Sequence, residues 1–262
     1  MILKQGDCLE LMKKIKDCSV DMILCDLPYG VTKNKWDSVI PFESLWEQYS
    51  RIIKENGAII LFGQDKFTAK VMLSNEKMHR YNIIWDKIST TGFLNANRMP
   101  LRSHEDICVF YKKLPVYNPQ KYLGEKSHSK GSKKRNTNNN YGEFTMVDNT
   151  AVHGEYKFPK SIISFPRVPP SKIVHPTQKP VDLLEYIIKT YSNENETVLD
   201  NCMGSGSTGV AAVNIGRKFY GIELDENYFK IAESRIQEAV CLKQGTPMIK
   251  PENNTASLNE SA

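Results

Sequence analysis

Residues 199–208, with the sequence L-D-N-C-M-G-S-G-S-T, join the end of a predicted strand to the start of a predicted helix. Gly204 and Gly206 allow the backbone of this turn to approach a ligand closely. The helix predicted from Thr208 has unpaired N–H groups in its first turn, which suit a carboxylate or a phosphate. Taken singly, a G-x-G turn also fits a purely structural role.

The next predicted strand, 218–224, contains Glu223, twenty-three residues after Asp200. An acid at this place binds ribose hydroxyls in Rossmann-like folds, so the pair of segments favours a nucleoside-type ligand. Gly209 does not fall at the spacing of the dinucleotide fingerprint G-x-G-x-x-G. An adenosyl ligand smaller than a dinucleotide is therefore favoured.

The rest of the chain alternates between strand and helix patterns on both sides of a basic insert, which predicts a doubly wound α/β fold. Residues 112–135 hold eight Lys or Arg side chains against one acid, Glu125. The segment 127–140 has no aliphatic or aromatic side chain that could anchor it in a core. The predicted strands are 20–26, 58–62, 80–86, 107–111, 197–200 and 218–224, and the predicted helices are 42–54, 66–77, 180–191, from 208, and 225–239.

The composition is that of an ordinary globular protein: 262 residues, 40% hydrophobic and 25% charged, with a net charge of +5 that permits a polyanionic partner. The longest apolar run, 58–62, cannot span a bilayer, and the N-terminus lacks the layout of a signal peptide, so a cytoplasmic protein is expected. The six cysteines include no C-x-x-C pair. We expect neither a metal site nor disulfides, and interpret the cysteines as small buried hydrophobes.

A second candidate site is the segment 26–30, D-L-P-Y-G, at the end of the predicted strand 20–26. Ligands of open α/β sheets bind outside the carboxyl ends of the strands. Read alone, however, the segment also fits a plain turn shaped by Pro28 and Gly30.

Four motifs in order resemble the amino-group DNA methyltransferases. Residues 26–29 are similar to the D/N/S-P-P-Y/F signature, and 200–208 are similar to the cofactor loop D-P-F-x-G-x-G-T-T. Residues 175–180 match H-P-T-x-K-P, and Gly6-Asp7 matches a G-D pair. The order resembles the permuted β group, and the resemblance spans about 4–240. It implies a Rossmann-like S-adenosylmethionine-dependent methyltransferase fold, with a doubly wound, mostly parallel sheet and a basic target-recognition insert.

The resemblance assigns catalysis to the segment Asp26, Leu27, Pro28 and Tyr29. The Asp26 carboxylate and the Leu27 carbonyl would accept hydrogen bonds from the amino group of a flipped base, on which Tyr29 stacks. Leu27 replaces the first Pro of the signature, but any residue supplies the carbonyl. Asn201-Cys202 replaces Pro-Phe, which predicts looser packing beside the methionine moiety. None of the thirteen prolines precedes a cysteine, so the cysteine-dependent C5-cytosine methyltransferases are excluded.

For the cofactor, the resemblance places Asp7 near the adenine and Glu223 on the ribose. Thr177 and Lys179 would lie around the ligand, although Lys179 can equally be solvated beside a helix that begins at Pro180. The cofactor loop would be formed by Asp200, Cys202, Gly204, Gly206, Ser207 and Thr208.

The insert 112–170 is the candidate for target recognition, and a solvated flexible loop is the alternative. Lys130, Lys133, Lys134 and Arg135 would neutralise DNA phosphates, and Arg98 and Arg102 would border the substrate cleft or be surface charges. Trp85 is expected in the core. The aromatic residues that flank the basic run, and could wedge or stack, are Tyr117, Tyr122, Tyr141 and Phe144.

The predicted organisation is a catalytic half (1–111), the insert (112–170), a cofactor-binding half (171–242) and a disordered tail (243–262). The acid at position 26 favours adenine N6, and cytosine N4 stays open. Methylation of RNA or protein stays open too, as does DNA binding without activity. Double-stranded DNA is the expected partner. A homodimer and a cognate restriction endonuclease are compatible with the resemblance.

Overall fold

The structure is a computed structural model that describes residues 1–30, 38–124 and 156–245. Its strands are β1 (Ile2–Gln5), β2 (Val20–Cys25), β3 (Ile53–Gly63), β4 (His79–Thr91), β5 (Arg102–Phe110), β6 (Tyr122–Leu123), β7 (Tyr156–Lys157), β8 (Ile162–Ser164), β9 (Thr197–Asp200) and β10 (Lys218–Glu223). Its α-helices are α1 (Cys8–Met12), α2 (Phe42–Ile52), α3 (Asp65–Ser74), α4 (Val181–Tyr191), α5 (Ser207–Asn214) and α6 (Glu226–Gln244).

Eight strands form one sheet in the order β1-β10-β9-β2-β3-β5-β4-β8, while β6 and β7 form a separate two-stranded ribbon. In the eight-stranded sheet, β5 is antiparallel to both of its neighbours, β3 and β4. All other neighbouring strands of that sheet are parallel. The sheet is therefore mostly parallel, as the sequence predicts.

Helices cover both faces of the sheet. Along β2, the side chain of Ile23 packs on the face covered by α1, α2 and α3, whereas Met22 and Leu24 pack on the opposite face. That second face is covered by α4, α5 and α6, which contribute Ile187 and Ile236 among others. The period of two along a strand that is buried on both sides explains its uninterrupted apolar sequence. This arrangement confirms the predicted doubly wound fold.

The boundary between α2 and β3 differs from the prediction of a helix to residue 54. The helix ends at Ile52, and Ile53 is extended because it pairs with Val20 of β2. The strand then continues through Gly57, where a Cβ atom would lie 2.7 Å from the carbonyl oxygen of Asp21. Long-range strand pairing overrides the local signal of Asn56-Gly57, which otherwise marks the end of a helix.

Two further boundaries are corrected. Residues 162–164, inside the predicted insert, form β8 and pair with β4, so the end of the insert belongs to the main sheet. The last helix extends to Gln244, past the predicted end at 239 and past the predicted start of the tail at 243. Gly245 ends it in the left-handed conformation, at φ 67°.

All six cysteines are free thiols, and the prediction of buried cysteines is correct for Cys8, Cys25 and Cys108. Cys18 is exposed, while Cys202 and Cys241 are partly exposed. Across residues 1–30, 38–124 and 156–245, no helix combines the length and the apolar character that crossing a membrane requires.

A buried hydrogen bond ties α2 to the glycine turn after β9, and its loss should destabilise the protein. The Tyr49 hydroxyl donates to Asn201 Oδ1 over 2.5 Å, and both side chains are buried. We expect Tyr49→Phe to lower the free energy of unfolding by about 1–3 kcal/mol, because a buried acceptor loses its donor. Urea denaturation measures this change. The exposed Tyr156, changed to Phe, is the control, and an equal effect of both substitutions would contradict the assignment.

Candidate active site

The sheet topology brings the predicted site residues to one edge. Asp26 directly follows β2, and Asp200 and Glu223 are the last residues of β9 and β10. Because these strands are parallel, their carboxyl ends lie side by side. Since β5 runs in the opposite direction, Glu105 in its first half lies at the same edge. All four acids line one cavity of about 390 Å³.

Nearly all of the predicted catalytic and cofactor-binding residues line this cavity. They are Asp7, Asp26, Leu27, Pro28, Tyr29, Thr177, Lys179, Asp200, Cys202, Gly204, Ser207, Thr208 and Glu223. Gly206 is not among the lining residues. It precedes α5 at φ 78°, and a Cβ atom on it would lie 2.9 Å from Ala232 of α6. Its place in the turn is thus explained by its backbone conformation and by close packing against α6.

Hydrogen bonds within the glycine turn hold Asp200 in place. Its Oδ2 accepts from the Thr208 hydroxyl over 2.6 Å, and its Oδ1 accepts from the Cys202 N–H over 3.1 Å. Burial raises the pKa of Asp200 to about 7, although both hydrogen bonds oppose the shift. The Asp200 side chain therefore holds the glycine turn in its conformation.

Glu223 connects the turn to the neighbouring strand. Its Oε2 accepts from the Gly204 N–H over 2.8 Å, and its Oε1 accepts from the Asp225 N–H over 2.9 Å. Burial raises its pKa, and the backbone hydrogen bonds lower it in part. The Gly6 N–H donates to the carbonyl oxygen of Glu223 over 2.8 Å, which brings Asp7 to the same end of the cavity.

The segment before α4 closes another side of the cavity. The Thr177 N–H donates to His175 Nδ1 over 3.3 Å, and the His175 ring contacts the Tyr228 ring at a centroid distance of 4.2 Å. Burial lowers the pKa of His175 to about 4, so the ring is neutral at physiological pH and its Nδ1 can accept.

On the catalytic segment, Tyr29 is held by contacts at both ends of its side chain. Its hydroxyl donates to Asp26 Oδ1 over 2.9 Å, and its ring stacks on Phe67 of α3 at a centroid distance of 4.4 Å. Burial raises the pKa of Tyr29 well above its ordinary value. The tyrosine therefore remains a neutral donor to the carboxylate.

A buried network of alternating charges surrounds Asp26. Asp26 Oδ2 lies 2.5 Å from Lys179 Nζ, which also lies 3.2 Å from Glu105 Oε2. Glu105 Oε1 in turn lies 2.7 Å from Lys87 Nζ. The four side chains are 4–19% exposed, so two carboxylates and two ammonium groups compensate each other away from water. The Lys179 ammonium also lies 4.9 Å from the centroid of the Phe62 ring.

The pKa shifts follow from burial and from these pairs. Burial raises the pKa of Asp26, and the Lys179 charge opposes the shift. Burial lowers the pKa of Lys179, but the carboxylates of Asp26 and Glu105 together raise it by more, so the net shift is upward. For Glu105, burial raises the pKa and the two lysines lower it more strongly. Glu105 Oε2, despite its 3.2 Å distance from Lys179 Nζ, makes no hydrogen bond of good geometry in the described residues.

The sequence reasoning missed Glu105, Lys87 and Arg167, all of which line the cavity. Glu105 and Lys87 stand beside apolar strand segments at the edge where ligands bind, and that position is the signal that could have found them. Trp85 is 2% exposed, as expected for a core residue, and its Nε1 donates to the Phe165 carbonyl over 2.9 Å. One edge of Trp85 also lines the cavity.

The predicted DNA-binding residues either do not line the cavity or fall outside the described residues. Arg98 and Arg102 are exposed and do not line the cavity, and Arg102 Nη2 lies 3.2 Å from Asp65. Tyr117 packs on Tyr191 with a centroid distance of 6.0 Å, and the Tyr122 ring lies 5.8 Å from Lys160 Nζ. The residues outside the described ranges are Lys130, Lys133, Lys134, Arg135, Tyr141 and Phe144.

Within the described ranges, no group of three or more His, Cys, Asp or Glu side chains is arranged to hold a metal ion. The cavity combines a glycine turn at a helix N-terminus with the acids after β10 and β2. Such a site at the carboxyl edge of a doubly wound sheet defines a Rossmann-like, nucleoside-binding class of protein. The amino acids that line the cavity distinguish one family within this class from another.

A family model described as a DNA methylase, of the N6/N4 methyltransferase type, matches residues 20–234. The chain belongs to this family. The match confirms the predicted resemblance: an S-adenosylmethionine-dependent DNA methyltransferase with a Rossmann-like methyltransferase fold.

Several characterised relatives and solved structures agree with this membership. The type II methyltransferase M2.LlaDCHI of Lactococcus lactis subsp. cremoris is 29% identical over 90% of this chain and 89% of its own length. The DNA adenine methyltransferase YhdJ of Escherichia coli K12 is 29% identical, over 89% of this chain and 82% of its own.

Among solved structures, the M1.HpyAVI–S-adenosylmethionine complex has a TM-score of 0.62 at 25% identity, covering 90% of this chain and 98% of that one. The cytosine-N4-specific PvuII methyltransferase has a TM-score of 0.62 at 14% identity and covers 94% and 93%. At 14% identity, the similarity to the PvuII enzyme shows only a shared fold.

The residues around the cavity fit S-adenosylmethionine chemically. The ligand carries two positive charges, on its sulfonium and ammonium groups. Five acids line the cavity, although Lys87 and Lys179 compensate the charges of two of them, Asp26 and Glu105; the other three are Asp7, Asp200 and Glu223. Ribose hydroxyls and the adenine amino group are hydrogen-bond donors, which carboxylates accept. The carboxylate of the ligand has matching partners in Arg167 and in the N-terminus of α5.

The raised pKa of Asp200 predicts a pH-dependent contribution to stability. The ordinary pKa of an aspartate is 3.8, and the pKa of Asp200 in the folded protein is about 7. Between these two pH values the folded state keeps a proton that the unfolded state has lost. The free energy of unfolding therefore falls as pH rises through this window. In Asp200→Asn this fall is absent, so the stability of the wild type relative to the variant should decrease from pH 4 to pH 7 and then stay constant. Urea denaturation at each pH tests this, and a difference independent of pH would contradict it.

Proposed function

We propose that this protein transfers the methyl group of S-adenosylmethionine to the exocyclic amino group of a base flipped out of duplex DNA at a specific site, and that the base is adenine, methylated at N6. One observation carries the proposal. The Asp26 carboxylate, an acceptor for amino N–H groups, lines the same cavity as the glycine turn and Glu223. A base amino group and a methyl donor therefore meet in one space.

An aromatic amino group needs help to act as a nucleophile, because its lone pair is delocalised into the ring. The Asp26 carboxylate and the backbone carbonyl of Leu27 can accept hydrogen bonds from its two N–H groups and stabilise the positive charge that develops on nitrogen as the methyl group leaves sulfur. The one surplus proton on nitrogen then passes to the Asp26 carboxylate. When bound, S-adenosylmethionine supplies an electrophilic methyl group on a sulfonium leaving group. Tyr29 and Lys179 hold the Asp26 side chain in place, which fixes the direction of attack.

Both oxygens of Asp26 already have a partner, but each carboxylate oxygen can accept a second hydrogen bond, so the base amino group can bind beside them. Oδ1 accepts from Tyr29, and Oδ2 binds the Lys179 ammonium. Glu105 Oε2 lies 3.2 Å from that ammonium and has no well-formed hydrogen bond of its own in the described residues. Lys179 can therefore shift toward Glu105 without leaving its charge uncompensated, which makes more room for the amino group at Asp26 Oδ2.

Adenine is proposed over cytosine because an acid in the first position of the catalytic segment resembles the adenine enzymes. The relative YhdJ is named a DNA adenine methyltransferase, whereas the PvuII enzyme is cytosine-N4-specific. Methylation of cytosine N4 is the second candidate. It uses the same acceptors, because that group is also an exocyclic aromatic amine.

The organisation of the chain follows from the same proposal. The catalytic half (1–111) contributes Asp26, and the cofactor-binding half (171–242) contributes the glycine turn. In the insert (112–170), the basic residues Lys130, Lys133, Lys134 and Arg135 neutralise phosphates of the target DNA.

We also propose that the protein acts in the cytoplasm, as a homodimer and beside a cognate restriction endonuclease. Relatives that are named type II methyltransferases support the last point.

The activity is tested by incubating the protein with tritiated S-adenosylmethionine and duplex DNA. We expect label in adenine of the hydrolysed DNA, and a loss of at least ~100-fold in Asp26→Ala, which is the magnitude seen when one preorganised group of this kind is removed. Asp17→Ala is the matched control, because Asp17 precedes β2 and so lies at the opposite edge of the sheet.

Label in cytosine would support the second candidate. Label in RNA or protein but not in DNA, or equal labelling by the wild type and Asp26→Ala, would contradict the proposal. Expression in a methylation-free bacterium, followed by modification-sensitive sequencing, then gives the target sequence and the modified base together.

A further inference from the structure

The hairpin that joins β4 to β5 begins at the wall of the cavity. Thr91, the last residue of β4, lines the cavity, and Gly92 at φ 86° turns the chain into a 3-10 helix of Phe93–Asn95. Because consecutive Cα atoms are about 3.8 Å apart, the Cα atom of Phe93 lies within about 8 Å of that of Thr91. The tip of the hairpin therefore lies beside the cavity wall.

The tip presents large apolar side chains to solvent. Leu94 is 99% exposed and Phe93 is 81% exposed, and Ile88 nearby on the same hairpin is 64% exposed. Single exposed hydrophobic residues are common on protein surfaces. Two adjacent, largely exposed ones beside the wall of a candidate active site are not explained by packing within this chain. Their exposure instead suits a partner that enters with the substrate.

The charge of the hairpin favours a negatively charged partner. Between Lys87 and Glu105 the sequence has no acidic residue, and it contains Asn95, Asn97 and Arg98 around the apolar pair. Arg98 is exposed, and no ion pair involves it in the part of the chain that the structure describes. Apolar side chains flanked by Arg and Asn fit a nucleic acid. Apolar side chains can insert between base pairs, and Arg and Asn can bind phosphates or base edges.

We propose that Phe93 and Leu94 form a wedge that enters the base stack of duplex DNA beside the target base and fills the space that the flipped base leaves, while Arg98 binds an adjacent phosphate. The inference rests on the proposed function, since flipping is needed only if the substrate base begins in a duplex. Flipping costs a few kcal/mol of lost stacking and pairing, and an inserted apolar side chain offsets part of that cost.

This assignment differs from the wedge residues that the sequence suggested. Tyr117 packs against Tyr191, and the Tyr122 ring lies beside the Lys160 ammonium on the β6–β7 ribbon. Both aromatic rings have partners within the chain. Phe93 and Leu94 are more exposed than either tyrosine, and Phe93 is two positions after Thr91, a residue of the cavity wall.

The test compares two duplex oligonucleotides that carry the target sequence identified by sequencing. One is fully paired, and the other has an abasic site opposite the target base, so that the base is unpaired before the enzyme binds. The variant is Phe93→Ser/Leu94→Ser. The control is Leu73→Ser, because Leu73 is 67% exposed but lies near the end of α3, away from the carboxyl edge.

On the paired duplex we expect kcat/KM of the double variant to fall by at least ~10-fold, since a contribution of about 1.4 kcal/mol to flipping corresponds to tenfold. On the abasic duplex we expect the variant to recover to within about threefold of the wild type. The Leu73→Ser control should match the wild type on both. If the double variant loses stability, which thermal unfolding reports, Phe93→Ser and Leu94→Ser are compared singly in the same way.

An undiminished rate on the paired duplex would overturn the wedge, and so would an equal loss on both duplexes, because neither depends on flipping. These outcomes are distinct from failure of the proposed function, in which the wild type methylates neither duplex.

Discussion

The proposed mechanism depends on one physical constraint: Asp26 must carry a negative charge where water is largely excluded. A buried carboxylate is costly unless charged or polar groups compensate it. Here Lys179 supplies the charge, Glu105 and Lys87 balance it, and Tyr29 donates to the remaining oxygen. A buried network of this kind is weak evidence for stability, but the loss of one partner costs about 3–5 kcal/mol by leaving an uncompensated charge. Its effect is to fix the relative positions of the segments that carry its members.

These segments are distant in sequence and adjacent in the sheet. Asp26 follows β2, Lys87 is on β4, Glu105 is on β5, and Lys179 precedes α4. In the sheet β2 lies beside β9, and the helices that follow these two strands, α2 and α5, pack on opposite faces. This is the topological switch point where doubly wound sheets form a crevice. The segment 26–29 and the glycine turn therefore open into one cavity, although Asp26 and Asp200 are 174 positions apart in the sequence.

Much of this arrangement could be predicted from local signals. The apolar run before Asp26 and the glycine turn after Asp200 identify strand ends, and four motifs in order identify the family. The roles of individual residues in binding and catalysis stay predictions. Glu105 and Lys87 were missed because an acid or a lysine beside a strand also fits an ordinary solvated position, and only the antiparallel placement of β5 brings Glu105 to the ligand edge. The strand β8 has three residues, too few to show a period, and it forms only by pairing with β4.

The most direct measurement of the central claim is the pH dependence of kcat for Lys179→Met, with S-adenosylmethionine and DNA both saturating. If Lys179 keeps Asp26 ionised, its loss removes the strongest interaction that opposes burial and raises the pKa of Asp26. The acid limb of the pH–rate profile should then move upward by about 1–3 units, and activity should recover in part at high pH. A wild-type profile in Lys179→Met would contradict the account. It would show that the carboxylate beside the methyl-transfer site does not depend on the charge network around it.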